Sequence, residues 1–176
     1  MSPKCRKFLL VLFAAVFGLA LADSGSGTTQ EVNQIKLNEK HIQGFIAADD
    51  EMAGIYGANA DNSDPKVRAQ GEAVAKKNGF ASFAEYNDVS MNIAIIMSSI
   101  DQQTKKFTEP PERLKEEIAA LKADTSISDE AKKDELAQLE AALKQIKPIQ
   151  FKENIALVLK NYDKLLPLMQ VLGPAD

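Results

Sequence analysis

His41 is the one histidine of this 176-residue chain, and Cys5 is the one cysteine. A metal centre with imidazole and thiolate ligands needs several such residues, so this composition nearly excludes it. A serine triad would have to use His41, and no nucleophile-elbow pattern surrounds any serine. His41 lies in the first turn of a predicted amphipathic helix, and we interpret it as an exposed surface histidine.

A calcium loop is the next candidate for chemistry. Asp61, Ser63 and Glu72 fall at its positions 1, 3 and 12. The position that requires glycine holds Lys66, however. Because Asp64-Pro65 is typical of a helix start, we reject the calcium interpretation.

Asp49, Asp50 and Glu51 form an acidic cluster late in the first predicted helix. Negative charge near a helix C-terminus opposes the helix dipole, and we interpret the cluster as a solvated face close to a lysine. The chain has no glycine-rich phosphate loop, haem-attachment motif or dinucleotide fingerprint. We therefore predict that the protein is not an enzyme and that it has no cofactor and no metal site.

The first 22 residues have the parts of a secretory signal peptide. Three basic residues precede the apolar run Phe8–Leu21, and Ala20-Leu21-Ala22 is a small-x-small cleavage site. This run of 14 residues is shorter than the roughly 20 that span a bilayer. We predict cleavage after Ala22, a periplasmic or secreted location, and no stable membrane anchor after cleavage.

Cleavage would leave 154 residues, which is enough for one domain with a core. The full chain carries a net charge of −4, and losing the three basic residues of the signal makes it −7. An acidic surface repels phosphate backbones, so we predict no nucleic-acid partner. Cys5 leaves with the signal, so the exported chain cannot form a disulfide.

Abundant helix-forming residues and the lack of sustained two-residue alternation predict an all-α fold. We predict a flexible leader at 23–36, followed by a single-domain bundle of about six helices at 37–176. Caps are expected where Asn38, Asp64-Pro65 and Gly79 stand. In the first helix, Gly44 and Gly54 are small enough to let another helix approach closely.

The central helix of this predicted bundle lies within 80–101 and begins at a capping box from Ser82 to Glu85. It is apolar on two faces, with Met91 and Ile95 forming the narrower stripe. Such a helix is normally sandwiched between neighbours, so we expect this stripe to be covered. The alternative is an exposed patch or a pocket wall. The candidate binding residues are Met91, Ile95, Met97 and Met169.

Two further elements complete the predicted bundle. Residues 111–146 have the narrow apolar seams of a charged helical hairpin, with Ser128 capping its second helix. The last helix is predicted at 153–172, with a kink caused by Pro167. A hairpin that buries little apolar surface could project and contact a partner, but we expect a plain helical hairpin that packs on the core.

The signal, the length and the run NGFASFAEYNDVSMNIAIIMSSID resemble those of small exported all-helical proteins of Gram-negative bacteria with no assigned function. This resemblance implies an exported helical fold and carries no site residues. The sequence contains no recognisable set of catalytic residues, and it predicts an exported, acidic chain. We therefore predict a non-enzymatic protein that binds another protein, of unknown identity, through helical surfaces. The alternative is a carrier of a small apolar ligand, held between the central and C-terminal helices.

Overall fold

The structure is a computed structural model, and it describes residues 32–57 and 64–170. The predicted signal peptide and residues 23–31 of the predicted leader lie outside the described residues. In the described part every regular element is a helix and there is no strand, which confirms the all-α fold. The helices are α1 (Glu39–Gly57), α2 (Pro65–Lys77), α3 (Phe83–Ser98), α4 (Pro110–Ala123), α5 (Asp129–Gln145), α6 (Lys152–Lys160) and α7 (Tyr162–Gln170).

These helices divide into two compact units. The helical body comprises the described residues of 32–97 together with 151–170, and so contains α1, α2, nearly all of α3, α6 and α7. The hairpin unit comprises 98–150 and contains α4 and α5. The single domain expected for 37–176 stays a prediction.

The ends of α1 and α2 are set by the local sequence, as predicted. The Oδ1 of Asn38 accepts a bond from the backbone N–H of His41 at 3.0 Å, and the Oδ1 of Asp64 accepts one from Lys66 at 2.8 Å. Gly79 ends α2 with φ +92°, which glycine adopts without a steric penalty. The N–H of the following residue, Phe80, then donates back to the carbonyl of Ala75 at 3.1 Å.

Glycines allow close packing within the helical body. A Cβ on Gly44 would lie 2.5 Å from the carbonyl oxygen of Asn78, so α1 meets the end of α2 with no room for a side chain. Gly71 of α2 lies under the hydroxyl of Tyr56. Gly54, in contrast, has no atom of the described residues within 4 Å of such a Cβ. Within the described part of the chain, the predicted close approach is therefore confirmed for Gly44 and is not seen for Gly54.

The start of α3 is fixed from two sides. The hydroxyl of Ser82 accepts from the N–H of Glu85 at 3.2 Å, and the Glu85 carboxylate accepts from the N–H of Ala81 at 2.5 Å. Glu72 of α2 accepts from the N–H of Phe83 at 2.8 Å. The capping predicted from sequence is therefore joined by a bond from another helix.

An aromatic cluster lies at the junction of α1 and α3. Its ring centroids are 5.4 to 5.9 Å apart, within the range that favours offset and edge-to-face pairs. Burial raises the pKa of Tyr86 to about 12, with further increases from Asp49 and Tyr56. The members are Phe45, Tyr56, Phe80, Phe83 and Tyr86.

The last predicted helix is interrupted at Asn161 and forms α6 and α7, while Pro167 lies inside α7. The Asn161 side chain donates to the carbonyl of Leu157 at 3.0 Å, and its backbone N–H donates to Val158 at 3.0 Å. Asparagine competes in this way for helical backbone groups, which favours a helix end. This interruption lies six residues before Pro167 and was not predicted, and the kink at Pro167 stays a prediction.

The hairpin unit pairs α4 with α5 along the predicted seam. Its buried residues Leu114 and Ile118 are covered by half-buried apolar side chains, mainly from α5. Lys122 of α4 also forms an ion pair with Glu140 of α5 at 2.8 Å. Ser128 caps α5 by accepting from the N–H of Ala131 at 3.3 Å. The covering side chains are Leu136, Leu139, Ala142, Leu143 and Ile146.

Candidate functional site

The predicted binding residues are mostly buried. Ile95, Met97 and Met169 have relative exposures of 5%, 7% and 7%, and Met91 is half-buried. In the stripe that was expected to be covered, Ile95 is buried and Met91 is only half-buried. A small-ligand cavity lined by these side chains stays a prediction.

His41 is not the exposed residue that its position predicted, since its side chain is 20% exposed. It lines a groove of about 450 Å³ together with Lys40, Lys77 and Gly79. Its Nε2 lies 3.2 Å from the Asn38 amide nitrogen and 3.9 Å from a Glu85 carboxylate oxygen. The first turn of α1 places the imidazole ring of His41 beside Glu85 at the start of α3. The spacing of apolar residues in the sequence does not reveal this contact.

The acidic candidates have structural roles. Glu51 forms an ion pair with Lys77 at 2.5 Å, as expected for a solvated face close to a lysine. Burial, followed by the charge of Asp50, raises the pKa of Asp49. Among the described residues, no group of three His, Cys, Asp or Glu side chains could hold a metal ion.

The rejected calcium loop begins outside the described residues, which exclude Asp61 and Ser63. Its last member, Glu72, bonds to the backbone N–H of Phe83 and to Lys76. These bonds lower the pKa of Glu72, with the backbone bond contributing most.

The feature best suited to recognition is an extended stretch that precedes α1, residues 32–38, here called the N-terminal segment. Two asparagines hold its backbone. The Oδ1 of Asn92 accepts from the N–H of Ile35 at 3.2 Å, while its Nδ2 donates to the carbonyl of Asn33 at 2.8 Å. Asn154 repeats this pattern two residues later, accepting from the N–H of Leu37 at 2.8 Å and donating to the carbonyl of Ile35 at 2.8 Å.

The spacing of these bonds follows from extended backbone geometry. In a strand, the N–H and C=O of one residue point to one side, and those of the next residue point to the other. Asn33, Ile35 and Leu37 therefore turn their backbone groups to one side. Each asparagine spans a carbonyl and the N–H two residues later, as a neighbouring strand would.

The two asparagines are positioned by α3 and α6 and are called here the asparagine pair. Asn92 is 2% exposed and Asn154 is 1% exposed. The second N–H of the Asn92 amide donates to the Asp88 carbonyl at 2.8 Å, within α3. Both N–H groups and the oxygen of the Asn92 side chain are thus bonded, and two of these three bonds go to the N-terminal segment.

Side chains at the rim add contacts along the segment. Lys36 forms an ion pair with Glu153 at 2.9 Å, and the Asn33 amide donates to the Asp88 carboxylate at 2.7 Å. The bond from Lys36 lowers the pKa of Glu153. Leu37 is 4% exposed, so it anchors the segment in the core. The described part of the predicted leader, residues 32–36, is therefore held by defined bonds.

The asparagine pair was not found by sequence reasoning. In the sequence, Asn92 stands between Met91 and Ile95 on the central helix, and Asn154 stands at the start of the last predicted helix. The available signal was an amide side chain close to the apolar face of each helix, where a buried polar group requires a partner.

The residues that touch the N-terminal segment offer it hydrogen bonds from two buried amides, together with contacts to the carboxylates of Asp88 and Glu153. No protein-family model, no curated protein and no solved structure matches this chain. Within residues 32–57 and 64–170, none of the helices has the length and apolar character needed to cross a membrane. Evidence about function comes from the chain's own residues.

Proposed function

We propose that this is an exported, non-enzymatic helical protein that binds another protein through helical surfaces. The binding surface is the face of α3 and α6 that carries the asparagine pair. The observation that carries the proposal is that this face holds an extended backbone by its N–H and C=O groups. Peptide-binding proteins use the same groups when an extended peptide adds to the edge of a sheet.

The energetics of buried amides support this interpretation. A buried donor or acceptor without a partner costs about 1–3 kcal/mol, so both asparagines require hydrogen-bond partners, and the backbone of the N-terminal segment supplies them. An apolar side chain would fill the same volume without this requirement. In the free protein the N-terminal segment supplies the extended chain, and in the complex a partner segment takes its place.

Two sequence features support the proposed setting. The signal peptide directs the protein to the periplasm or the medium, and the exported chain carries −7. A bundle of about six helices, in which α6 and α7 count as one interrupted helix, is the scaffold that we propose for the surface.

The test uses the exported chain with the substitutions Ile35→Pro and Leu37→Pro, called here the open variant. Proline lacks the backbone N–H, so neither asparagine oxygen retains its donor from the segment. A fluorescent peptide with the sequence of residues 31–38 is titrated into this variant, and its anisotropy is measured. We expect saturable binding, because the freed amides take up the peptide backbone.

A matched control separates the asparagine pair from the rest of the surface. Adding Asn92→Ala and Asn154→Ala to the open variant should abolish peptide binding, whereas Asn87→Ala at an exposed position of α3 should leave it unchanged. Circular dichroism checks that each variant is folded. A folded open variant that binds no peptide would overturn the proposal.

A further inference from the structure

We infer that the partner segment is an extended peptide with aliphatic residues at two alternate positions and a lysine or arginine between them. This inference rests on the proposed function and names the partner of the same surface. It is based on the side-chain surroundings of Ile35, Lys36 and Leu37, since the N-terminal segment shows which side chains the surface accepts.

The aliphatic preference comes from burial. Leu37 is 4% exposed and Ile35 is half-buried, so the surface accepts branched apolar side chains at both positions. Backbone bonds are the same for every sequence, and they give affinity without selectivity. The alternate side chains therefore select the peptide.

The preference for a basic residue comes from charge. Lys36 lies between the two aliphatic residues and pairs with Glu153 at 2.9 Å. Asp88 lies near the other end of the segment, where its carboxylate accepts a hydrogen bond from the side-chain amide of Asn33. Both rim groups are acidic and the exported chain carries −7, so an acidic peptide would be repelled at the rim and at longer range.

The N-terminal segment is also a built-in competitor. It continues directly into α1 at Glu39, so it is held beside the asparagine pair at a high effective concentration. A partner peptide has to displace the N-terminal segment from the asparagine pair. A peptide whose side chains fit the surface well displaces the segment most readily. The open variant removes this competition and so measures the preference itself.

The experiment compares three peptides on the open variant by anisotropy. The first has the sequence of residues 31–38, the second carries Lys36→Glu, and the third carries Ile35→Ser with Leu37→Ser. We expect the glutamate peptide to bind about two- to five-fold more weakly, as for a lost exposed ion pair. The serine peptide should bind at least about ten-fold more weakly, because its aliphatic groups are missing.

Charge exchange is the matched control. Adding Glu153→Lys to the open variant should restore binding of the glutamate peptide and weaken binding of the lysine peptide. Equal affinities for all three peptides would overturn the inference and leave the proposed function intact. Failure of every peptide to bind a folded open variant would overturn the proposed function itself.

The unsubstituted exported chain provides a second measurement if the open variant does not fold. Excess peptide is added, and the side-chain amide signals of Asn92 and Asn154 are followed by NMR. We expect saturable shifts that are larger for the lysine peptide than for the glutamate peptide. Equal shifts with both peptides, or no shifts with either, would overturn the inference.

Discussion

At the scale of single residues, the asparagine pair should contribute measurably to stability. Asn154→Ala would leave the N–H of Leu37 and the carbonyl of Ile35 without their partner. We expect the free energy of unfolding in urea to fall by about 1–3 kcal/mol. The control Asn87→Ala should change it by less than about 0.5 kcal/mol, because that residue is exposed. Equal effects of the two substitutions would show that the bonds contribute nothing.

Gly71 and Gly54 form a second matched pair at this scale. A methyl group on Gly71 would collide with the hydroxyl of Tyr56, whose ring stacks on Phe83 at 5.4 Å. We expect Gly71→Ala to lower the thermal midpoint, with a cost of about 1–3 kcal/mol. The added methyl group of Gly54→Ala meets no atom of residues 32–57 and 64–170 within 4 Å, and this substitution should stabilise α1 by roughly 0.5–1 kcal/mol. A stabilising Gly71→Ala would contradict this packing.

Sequence reasoning at the residue scale succeeded where the partners are neighbours in the chain. Asn38, Asp64 and Ser82 cap helices through bonds to residues two or three positions away. The asparagine pair, in contrast, bonds to residues 57 and 117 positions away. Tertiary packing decides such contacts, and no local pattern encodes them.

At the scale of elements, the hairpin of α4 and α5 should give a pH-dependent stability. Burial raises the pKa of Glu117 to about 7, with Arg113 lowering it and Glu135 raising it. The folded chain then binds this proton more tightly than the unfolded chain does. The resulting stabilisation is therefore full below pH 4.5, the usual pKa of this carboxyl, and is lost as the pH rises through about 7.

Glu117→Gln removes the titrating group and so tests this effect. We expect the decline in unfolding free energy between pH 4.5 and about 7 to become smaller in this variant. Glu130→Gln, at an exposed position of α5, serves as the control and should keep the decline of the unsubstituted chain. An unchanged decline in Glu117→Gln would contradict the role of this carboxyl.

Element boundaries were predicted well where caps are strong and less well elsewhere. The sequence predicts the hairpin of α4 and α5 from two narrow apolar seams, because the helical spacing of apolar residues shows such seams directly. The division of the last helix at Asn161 was missed because Pro167 is the stronger breaker on sequence grounds. The Asn161 side chain bonds to the Leu157 carbonyl where the helix is interrupted, and only the structure shows this bond.

At the scale of the whole molecule, the predicted export would set the compartment in which the asparagine pair acts. Cleavage after Ala22 should give a chain that begins at Asp23, ten residues before Asn33. Intact mass spectrometry of protein recovered from the periplasm or the medium checks this expectation. A mass that includes the first 22 residues would contradict the predicted processing.

The central claim is that the asparagine pair reads an extended backbone, and N-methylated peptides test it most directly. Two peptides with the sequence of residues 31–38 are compared on the open variant, one methylated at the amide of Ile35 and one at the amide of Lys36. The first amide faces Asn92, whereas the second points away in an extended chain. We expect methylation at Ile35 to abolish binding and methylation at Lys36 to preserve it. Equal effects of the two methyl groups would contradict the claim.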